Sequence, residues 1–507
     1  MSEIHFGTDG WRGLIADDFT FAQVRRAAAA TAAYIKDHPS AAQGPVLIGY
    51  DRRFLSKSFA HCAASIFSRE HIPVLVSSRP VPTPAISFSV VHRSAPWGIV
   101  ITASHNPASY NGFKIKESQG RSAPPEVTRE IEAYLNIDSS SPAATGRGPM
   151  VRQTSGGDVI GTFDDRAAYE GYLRSRLDWK VLKRHHGRVV FDYLYGVGSG
   201  IPERVLKGSK FTLLSLHSEH DPLFGGLHPE PIENQLISLT KVVRARRAIV
   251  GIALDGDADR LGVVDDLGRY LTPHQVFPLL LLHCIEHKGW KGKIVQAVSL
   301  GYLSERIARS FNLPFEEVPV GFKHVAERML NNNFLAGGEE SGGYAVRGGL
   351  PERDGILNGL LFLEMLAARK KLPSQLLKDL EKRFGTARFR RIDIHLTTPI
   401  LDRSTFARNI STRVPDRLAG EKVLEVRTRD GVKVMLQSGS WVLLRPSGTE
   451  PLIRTYAESE SLGKTEALLK WARHAVTPAK AAPATLRVQG LPLRSPQASS
   501  RGGAQPI

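Results

Sequence analysis

Short apolar runs alternate along the chain with longer stretches in which apolar residues recur every three to four positions. Pro45–Tyr50, Pro73–Val76 and Gly98–Thr102 read as strands, and Phe21–Asp37 as an amphipathic helix. The rhythm restarts at Arg188–Tyr193, Phe211–Leu216 and Ala248–Asp255, and again at Lys293–Val298 followed by the helical Tyr302–Asn312. Such alternation predicts α/β domains with largely parallel sheets. From Ala387 the character changes: Phe389–Leu396, Lys422–Val426, Val432–Leu436 and Ser440–Leu444 are short alternating strands, with Asp430-Gly431 as a hairpin turn. A helix over Lys464–Ala475 closes this smaller α+β unit.

Two segments lack the material for a core. Asp138–Gly157 is rich in Ser, Gly, Ala and Pro and reads as a linker or insertion, and everything from Thr477 reads as a disordered tail. The expected domains are therefore 1–160, 161–268, 269–386 and 387–476, followed by the tail 477–507. The apolar run Val276–Ile285 contains Pro278 and His283 and stops at Glu286, short of the roughly 20 residues a membrane span needs. No membrane association is expected, and the N-terminus lacks the apolar core of a signal peptide, so the cytoplasm is the expected compartment. Cys62 and Cys284, the only cysteines, give neither a disulfide framework nor metal-ligand spacing. With 67 Lys plus Arg against 50 Asp plus Glu, the formal charge of +17 is compatible with an anionic partner (nucleic acid, acidic lipid or a phosphorylated small molecule) and equally with a generally basic surface. No dense basic block with interleaved aromatics and no zinc-finger spacing is present, so no nucleic-acid partner is expected.

Four loops carry candidate chemistry. Thr102-Ala103-Ser104-His105-Asn106-Pro107 follows the apolar Gly98–Ile101 and places Ser104 at the C-terminal end of a strand, where α/β folds bind ligands. A phosphorylated serine there stores a transferable phosphoryl group; a Ser/His/Asn turn capping a helix would use the same residues. Asp255-Gly256-Asp257-Ala258-Asp259-Arg260 carries three carboxylates at period two, expected on one side of an extended segment, which suits magnesium with a phosphate oxygen. A calcium loop of the EF-hand kind requires Gly and Glu where this chain has Arg260 and Asp266, and is excluded. Gly337–Gly343 presents Glu339, Glu340 and Ser341, groups that bind sugar hydroxyls. Arg445-Pro446-Ser447-Gly448-Thr449-Glu450-Pro451 offers an arginine fork, two hydroxyls and a glycine for a phosphate, and no Walker A motif occurs.

Together with Phe6-Gly7-Thr8-Asp9-Gly10-Trp11-Arg12-Gly13, these loops in this order resemble the α-D-phosphohexomutase family of phosphoglucomutases and phosphomannomutases, over most of the chain up to the tail. The resemblance implies four domains around a central cleft: three related α/β domains with mixed, mostly parallel sheets, and a smaller C-terminal α+β domain. It implies that Ser104 is the phosphoserine and that Asp255, Asp257 and Asp259 hold one magnesium ion with a phosphoserine oxygen. Arg12 and Arg260 would offset phosphoryl charge. Lys114, in Tyr110-Asn111-Gly112-Phe113-Lys114, would be the general acid or base, with a lowered pKa, and His105 a second candidate. Glu339 and Ser341 would read sugar hydroxyls; Arg445, Ser447, Gly448 and Thr449 would grip the phosphate not being transferred, with Lys323 a further contact. The implied reaction interconverts hexose 1- and 6-phosphates through a hexose 1,6-bisphosphate, which also serves as activator, in a monomer or homodimer.

The family pattern also bears on the sugar. Gly343 stands where dual-specificity phosphomannomutases often have His, while Trp11 and Glu340 replace the Ile and Gln usual in phosphoglucosamine mutases. Glucose phosphates are expected, with mannose or glucosamine phosphates as alternatives. A non-catalytic sugar-phosphate-binding protein is the competing class; the retention of Ser104, Lys114 and the acidic triplet favours an enzyme.

Overall fold

The computed structural model describes residues 3–476 apart from 8, 40–43, 138–159, 332, 448 and 449. The expected linker and tail thus lie outside the described residues. In the first sheet, β1 (Trp11–Leu14), β2 (Val46–Tyr50), β3 (Val74–Ser77), β4 (Trp97–Ile101), β5 (Tyr110–Glu117) and β6 (Gly161–Phe163) run in the order β1-β5-β4-β2-β3-β6. The strands β4, β2, β3 and β6 are parallel, while β5 and β1 join antiparallel. β6 lies past the boundary expected at residue 160 yet pairs with β3, so the first sheet extends across that boundary. Every residue of β2 and β4 is buried, as parallel strands covered on both faces require.

The second sheet holds β7 (His186–Asp192), β8 (Lys210–Leu216), β9 (Val250–Leu254), β10 (Leu261–Val264) and β11 (Tyr270–Leu271), in the order β11-β10-β9-β7-β8. The third holds β12 (Lys293–Ala297), β13 (Phe315–Val318), β14 (Phe334–Gly338) and β15 (Tyr344–Val346), in the order β13-β12-β14-β15. One pattern therefore occurs three times: three parallel strands followed by an antiparallel fourth, as β3-β2-β4-β5, β8-β7-β9-β10 and β13-β12-β14-β15. The fourth sheet is antiparallel throughout, with β16 (Arg388–His395), β17 (Arg417–Leu418), β18 (Glu421–Arg427), β19 (Val432–Leu436), β20 (Trp441–Pro446) and β21 (Leu452–Ser459) in the order β16-β21-β20-β19-β18-β17. The helix Leu462–Val476 packs on it.

The run Val276–Ile285 lies within the helix Pro273–Glu286, which packs against the helix Gly355–Arg369 in a core shared by the second and third sheets. That second helix is buried from Gly355 to Ala367 and is N-capped by the Asp354 carboxylate, which accepts the Leu357 N–H. Among the described residues no helix is long and apolar enough to cross a membrane. The fourth sheet is fastened to the third domain by the buried Glu458, which accepts the Tyr302 N–H at 2.8 Å and the Trp441 Nε1–H at 3.1 Å and meets His274 Nδ1 at 2.9 Å.

Candidate active site

The repeated strand pattern places the chemistry. In each of the first three sheets the connection between the third parallel strand and its antiparallel neighbour is one of the loops singled out above: 102–109 after β4, 255–260 after β9 and 339–343 after β14. The fourth loop, 447–451, joins β20 to β21 in the same way. The first two meet closely. Ser104 is buried and its Oγ donates to Asp255 Oδ2 at 2.9 Å. Gly256 lies against the Ser104 carbonyl, where a Cβ would fall 2.6 Å from the oxygen, so any larger residue would push the loops apart.

Ser104 has a left-handed backbone, φ 54°, an uncommon state for a non-glycine residue. What holds it is a buried ion pair that the sequence did not flag. Arg53 donates to the carbonyls of Ser104 and Asn106, both at 2.6 Å, of Pro107 at 2.7 Å and of Tyr110 at 3.1 Å, while its Nε bonds Asp51 at 3.1 Å. Asp51 in turn accepts the hydroxyls of Ser56 and Thr102, each at 2.6 Å, and Thr102 Oγ1 accepts the Ser104 N–H at 2.8 Å. The loop's carbonyls are thereby turned toward Arg53 and its hydroxyl toward the carboxylates.

The acidic triplet is not an extended segment, as the period-two spacing suggested. It is a tight turn with Ala258 at φ 60°, and the chain reversal, rather than strand alternation, brings Asp255, Asp257 and Asp259 together. One carboxylate oxygen from each lies within 4.8 Å of the others. Asp255 Oδ1 accepts the N–H groups of Asp259 and Arg260 at 2.9 and 3.0 Å. Thr83, opening the helix Thr83–His92, donates its hydroxyl to Asp257 Oδ2 at 2.6 Å. Burial, then the neighbouring Asp257 and Asp259, push the Asp255 carboxyl well above the usual range. Asp257 Oδ1 and Asp259 Oδ1 are buried without a hydrogen-bond partner among the described residues. Buried carboxylate oxygens in that state are costly unless a cation meets them, and an all-oxygen set of this kind fits a hard divalent ion.

Lys114, on β5, donates to Asp257 Oδ2 at 2.9 Å and lies 2.8 Å from Asp9 Oδ2 and 3.5 Å from Asp259 Oδ2. The expected lowering of its pKa is not found: burial alone would lower it, but Asp257, Asp9 and Asp259 together raise it, and Lys114 stands as a charged ammonium. Arg12, on β1, donates to Asn106 Oδ1 at 2.6 Å. Arg260 bonds Glu230 at 3.0 Å, and His105 Nε2 lies 4.0 Å from the same carboxylate oxygen. Burial, then Arg260 and Arg12, hold the His105 imidazole well below its ordinary pKa.

The sugar-type loop abuts the triplet through its backbone, Leu261 N–H donating to the Gly342 carbonyl at 2.9 Å. Glu339 is buried, accepts the Gly321 N–H at 2.9 Å, and is pushed up to about 7 by burial against the opposing pull of Arg353. Ser341 Oγ is buried without a hydrogen-bond partner among the described residues, whereas Glu340 accepts the Ser299 hydroxyl. Lys323 is half-buried on the helix Phe322–Met329. Arg445, at the end of β20, bonds Asp430 through Nε at 2.8 Å, and the same Asp430 oxygen accepts the Val320 N–H at 2.9 Å. Ser447 is buried beside it in sequence, and Gly448 and Thr449 lie outside the described residues. Trp11 faces the core of the first domain, stacked on Phe19 at 4.6 Å.

Models of the four phosphoglucomutase/phosphomannomutase domains match in chain order: domain I over residues 3–141, domain II over 167–268, domain III over 272–384 and the C-terminal domain over 410–471. The chain belongs to the phosphoglucomutase/phosphomannomutase family. It is 30% identical over 464 residues to a "Probable phosphoglucosamine mutase" of Methanosphaera stadtmanae, covering 91% of this chain and 94% of the relative. It is also 30% identical over 389 residues to a phosphoglucomutase/phosphomannomutase of Thermococcus kodakarensis, covering 77% of this chain and 80% of that one. A crystal structure from Thermus thermophilus that carries the provisional name phosphomannomutase superposes with a TM-score of 0.80 at 35% identity, over 94% of this chain and 99% of the other. A phosphoglucomutase from Paramecium shares the fold, with a TM-score of 0.75 at 19% identity, over 94% of this chain and 95% of the other. The protein is therefore an enzyme of the phosphohexomutase class, an isomerase working by intramolecular phosphoryl transfer. Sequence reading passed over Arg53, Glu230 and Arg353 and gave Asp9 and Asp430 no site role, because most of the partners of these residues lie well away along the chain; Asp51-x-Arg53 directly after β2 was a local signal for the clamp.

Proposed function

We propose that the protein interconverts hexose 1-phosphates and hexose 6-phosphates, glucose phosphates foremost, through phosphorylated Ser104 and a bound hexose 1,6-bisphosphate. The observation that carries this reading is the buried Ser104 hydroxyl hydrogen-bonded to the acidic triplet. In the first half-reaction the Ser104 Oγ–P bond breaks and an O–P bond forms at the sugar's free hydroxyl, whose proton is given up as Ser104 Oγ takes one, so that the serine hydroxyl is restored. After the bisphosphate turns around, its other phosphoryl group returns to Oγ, so serine is phosphorylated again and the isomeric monophosphate leaves. A loose phosphoryl transition state demands alignment and cations more than a strong base. Arg53 supplies alignment by fixing the loop; Lys114, Arg12 and Arg260 supply fixed positive charge in a dry site. Asp255, Asp257 and Asp259 would hold magnesium, whose Lewis-acid charge would offset the phosphoryl oxygens. Glu339 and Ser341 would read ring hydroxyls, and Arg445, Ser447 and Lys323, with Gly448 and Thr449, would hold the phosphate that stays.

Glucosamine phosphates are the second reading, favoured by the name of the Methanosphaera relative. A coupled assay of glucose, mannose and glucosamine 1-phosphates with magnesium and a trace of bisphosphate separates the two. Ser104→Ala should abolish turnover of every sugar, and peptide mass spectrometry of the wild-type protein should find phosphate on Ser104. More than a trace of activity in Ser104→Ala would rule out a cycle that runs through phosphorylated Ser104.

A further inference from the structure

Arg353 was not anticipated from the sequence, yet it lies between the acidic turn, the N-terminal segment and Glu339. It lies in the connection from β15 to the helix Gly355–Arg369, with its side chain almost wholly buried. Nη2 is 2.6 Å from Asp9 Oδ2 and 2.7 Å from Asp259 Oδ2, so one guanidinium ties the N-terminal segment to the acidic turn. Nη1 is 3.6 Å from Glu339 Oε2. That distance exceeds a hydrogen bond, so the attraction is electrostatic and Oε2 keeps its lone pairs for a ligand hydroxyl. Nε is buried without a hydrogen-bond partner among the described residues.

A second observation concerns the space this arginine fills. A Cβ built on Gly343 would fall 2.3 Å from Arg353 Cδ and 2.8 Å from Cγ. These are stem atoms of a side chain anchored at its head on two carboxylates, so it cannot swing aside without releasing both. A side chain at 343 and the arginine at 353 therefore exclude each other.

We propose that Gly343 and Arg353 act as one specificity-determining element: the absent side chain at 343 admits the arginine, and the arginine positions Glu339 against the sugar. Arg353 is a positioning residue here, acting through Glu339, and the proposal rests on the reading of Glu339 as a sugar contact. It predicts that the two positions change sugar choice together and that size at 343 is tolerated only when 353 is small.

The test uses full-length Arg353→Met, Arg353→Lys, Gly343→Ala, Arg353→Ala and the Gly343→Ala/Arg353→Ala double variant. Measurements are kcat/KM on glucose, mannose and glucosamine 1-phosphates, and Tm without substrate. Arg353→Met should shift the ratio between the two best sugars by about fivefold or more, with Arg353→Lys restoring part of the wild-type ratio. Gly343→Ala should lower Tm and move the ratio in the same direction. In the Arg353→Ala background, adding Gly343→Ala should lower Tm no further. An equal loss for all sugars in Arg353→Met and Arg353→Lys would reduce Arg353 to a structural bolt and overturn the specificity role. A Gly343→Ala variant unchanged in Tm would overturn the exclusion. Wild-type protein inactive on every hexose phosphate would refute the mutase reading, whereas the Tm comparison judges the exclusion without any substrate.

Discussion

The floor and the rim of the site are built in opposite ways. At the floor, Ser104, the acidic triplet and Lys114 are buried, and their partners come from β5, the Thr83–His92 helix, Arg53 and the N-terminal segment. At the rim, the Arg445 side chain is also buried but, among the described residues, is bonded through Nε to Asp430, and Lys323 projects half-buried from its helix. On the proposed cycle the floor would meet a phosphoryl group that is the same in both half-reactions, so its charges can be fixed in advance, where they cost no reorganisation during transfer. On the same proposal the rim would accept the bisphosphate in two orientations, which the sparser tethering among the described residues would allow and a multiply bonded cradle would resist.

The largest effect that would break this contrast is at the triplet. Asp255→Asn should lower kcat by about a thousandfold or more, while Tm holds or rises, because one of three crowded buried carboxyls no longer repels the others. Arg445→Ala should lower kcat/KM by about a hundredfold, by a similar factor for each accepted sugar phosphate, since a phosphate contact is indifferent to ring stereochemistry. Steady-state kinetics on glucose and mannose 1-phosphates with both variants decide the matter. An Arg445→Ala defect as deep as that of Asp255→Asn, or one confined to a single sugar, would mean that the rim takes part in the chemistry.

A smaller effect sharpens the picture of the floor. Arg53→Lys keeps the charge beside Asp51 but replaces a planar fork that serves four carbonyls with a single ammonium. Phosphorylation of Ser104 by glucose 1,6-bisphosphate should slow by about ten- to a hundredfold, with sugar ratios unchanged, because only the nucleophile's placement is lost. Single-turnover labelling measures this directly. Wild-type rates in Arg53→Lys would show that the left-handed Ser104 backbone needs no clamp.

The floor's residue types were legible in the sequence because each motif is local and follows an apolar strand. What holds them was not. The strand Tyr110–Glu117 carries Lys114 and Lys116 on one face and looks half-solvated; both ammonium groups are buried, since Asp9 and Asp257 meet the first and Glu352 the second. Those pairings span up to 236 residues of sequence and leave no periodic trace. The Asp triplet was read as extended because spacing reports side-chain alternation only within a strand, and Ala258 reverses the chain. The threefold recurrence of the strand order was hidden for a related reason: two of its three antiparallel fourth strands are short, three and four residues in Tyr344–Val346 and Leu261–Val264, and too brief for a pattern to register.

The smallest expected effect lies where floor and rim meet, at Glu339. Burial raises its carboxyl to about 7, with Arg353 opposing. Below that pH the group carries a proton, and in losing its charge it also loses the stronger, charge-assisted bond to a sugar hydroxyl. The free enzyme's kcat/KM should therefore climb as pH rises toward 7 and level off above it, and Glu339→Gln, neutral at every pH, should lack this limb. Stability should move the other way. A carboxyl whose folded pKa lies above its unfolded value near 4.5 favours the protonated folded state, so stability falls as pH rises from about 4.5 to about 7, by on the order of 3 kcal/mol from this group. Urea unfolding of wild type and Glu339→Gln at pH 5 and pH 8 isolates that contribution: the wild type should lose more between the two. If both proteins share one pH–rate profile and one stability profile, Glu339 does not titrate near neutrality, and its carboxylate belongs to the pre-charged floor rather than to the boundary between the two regions.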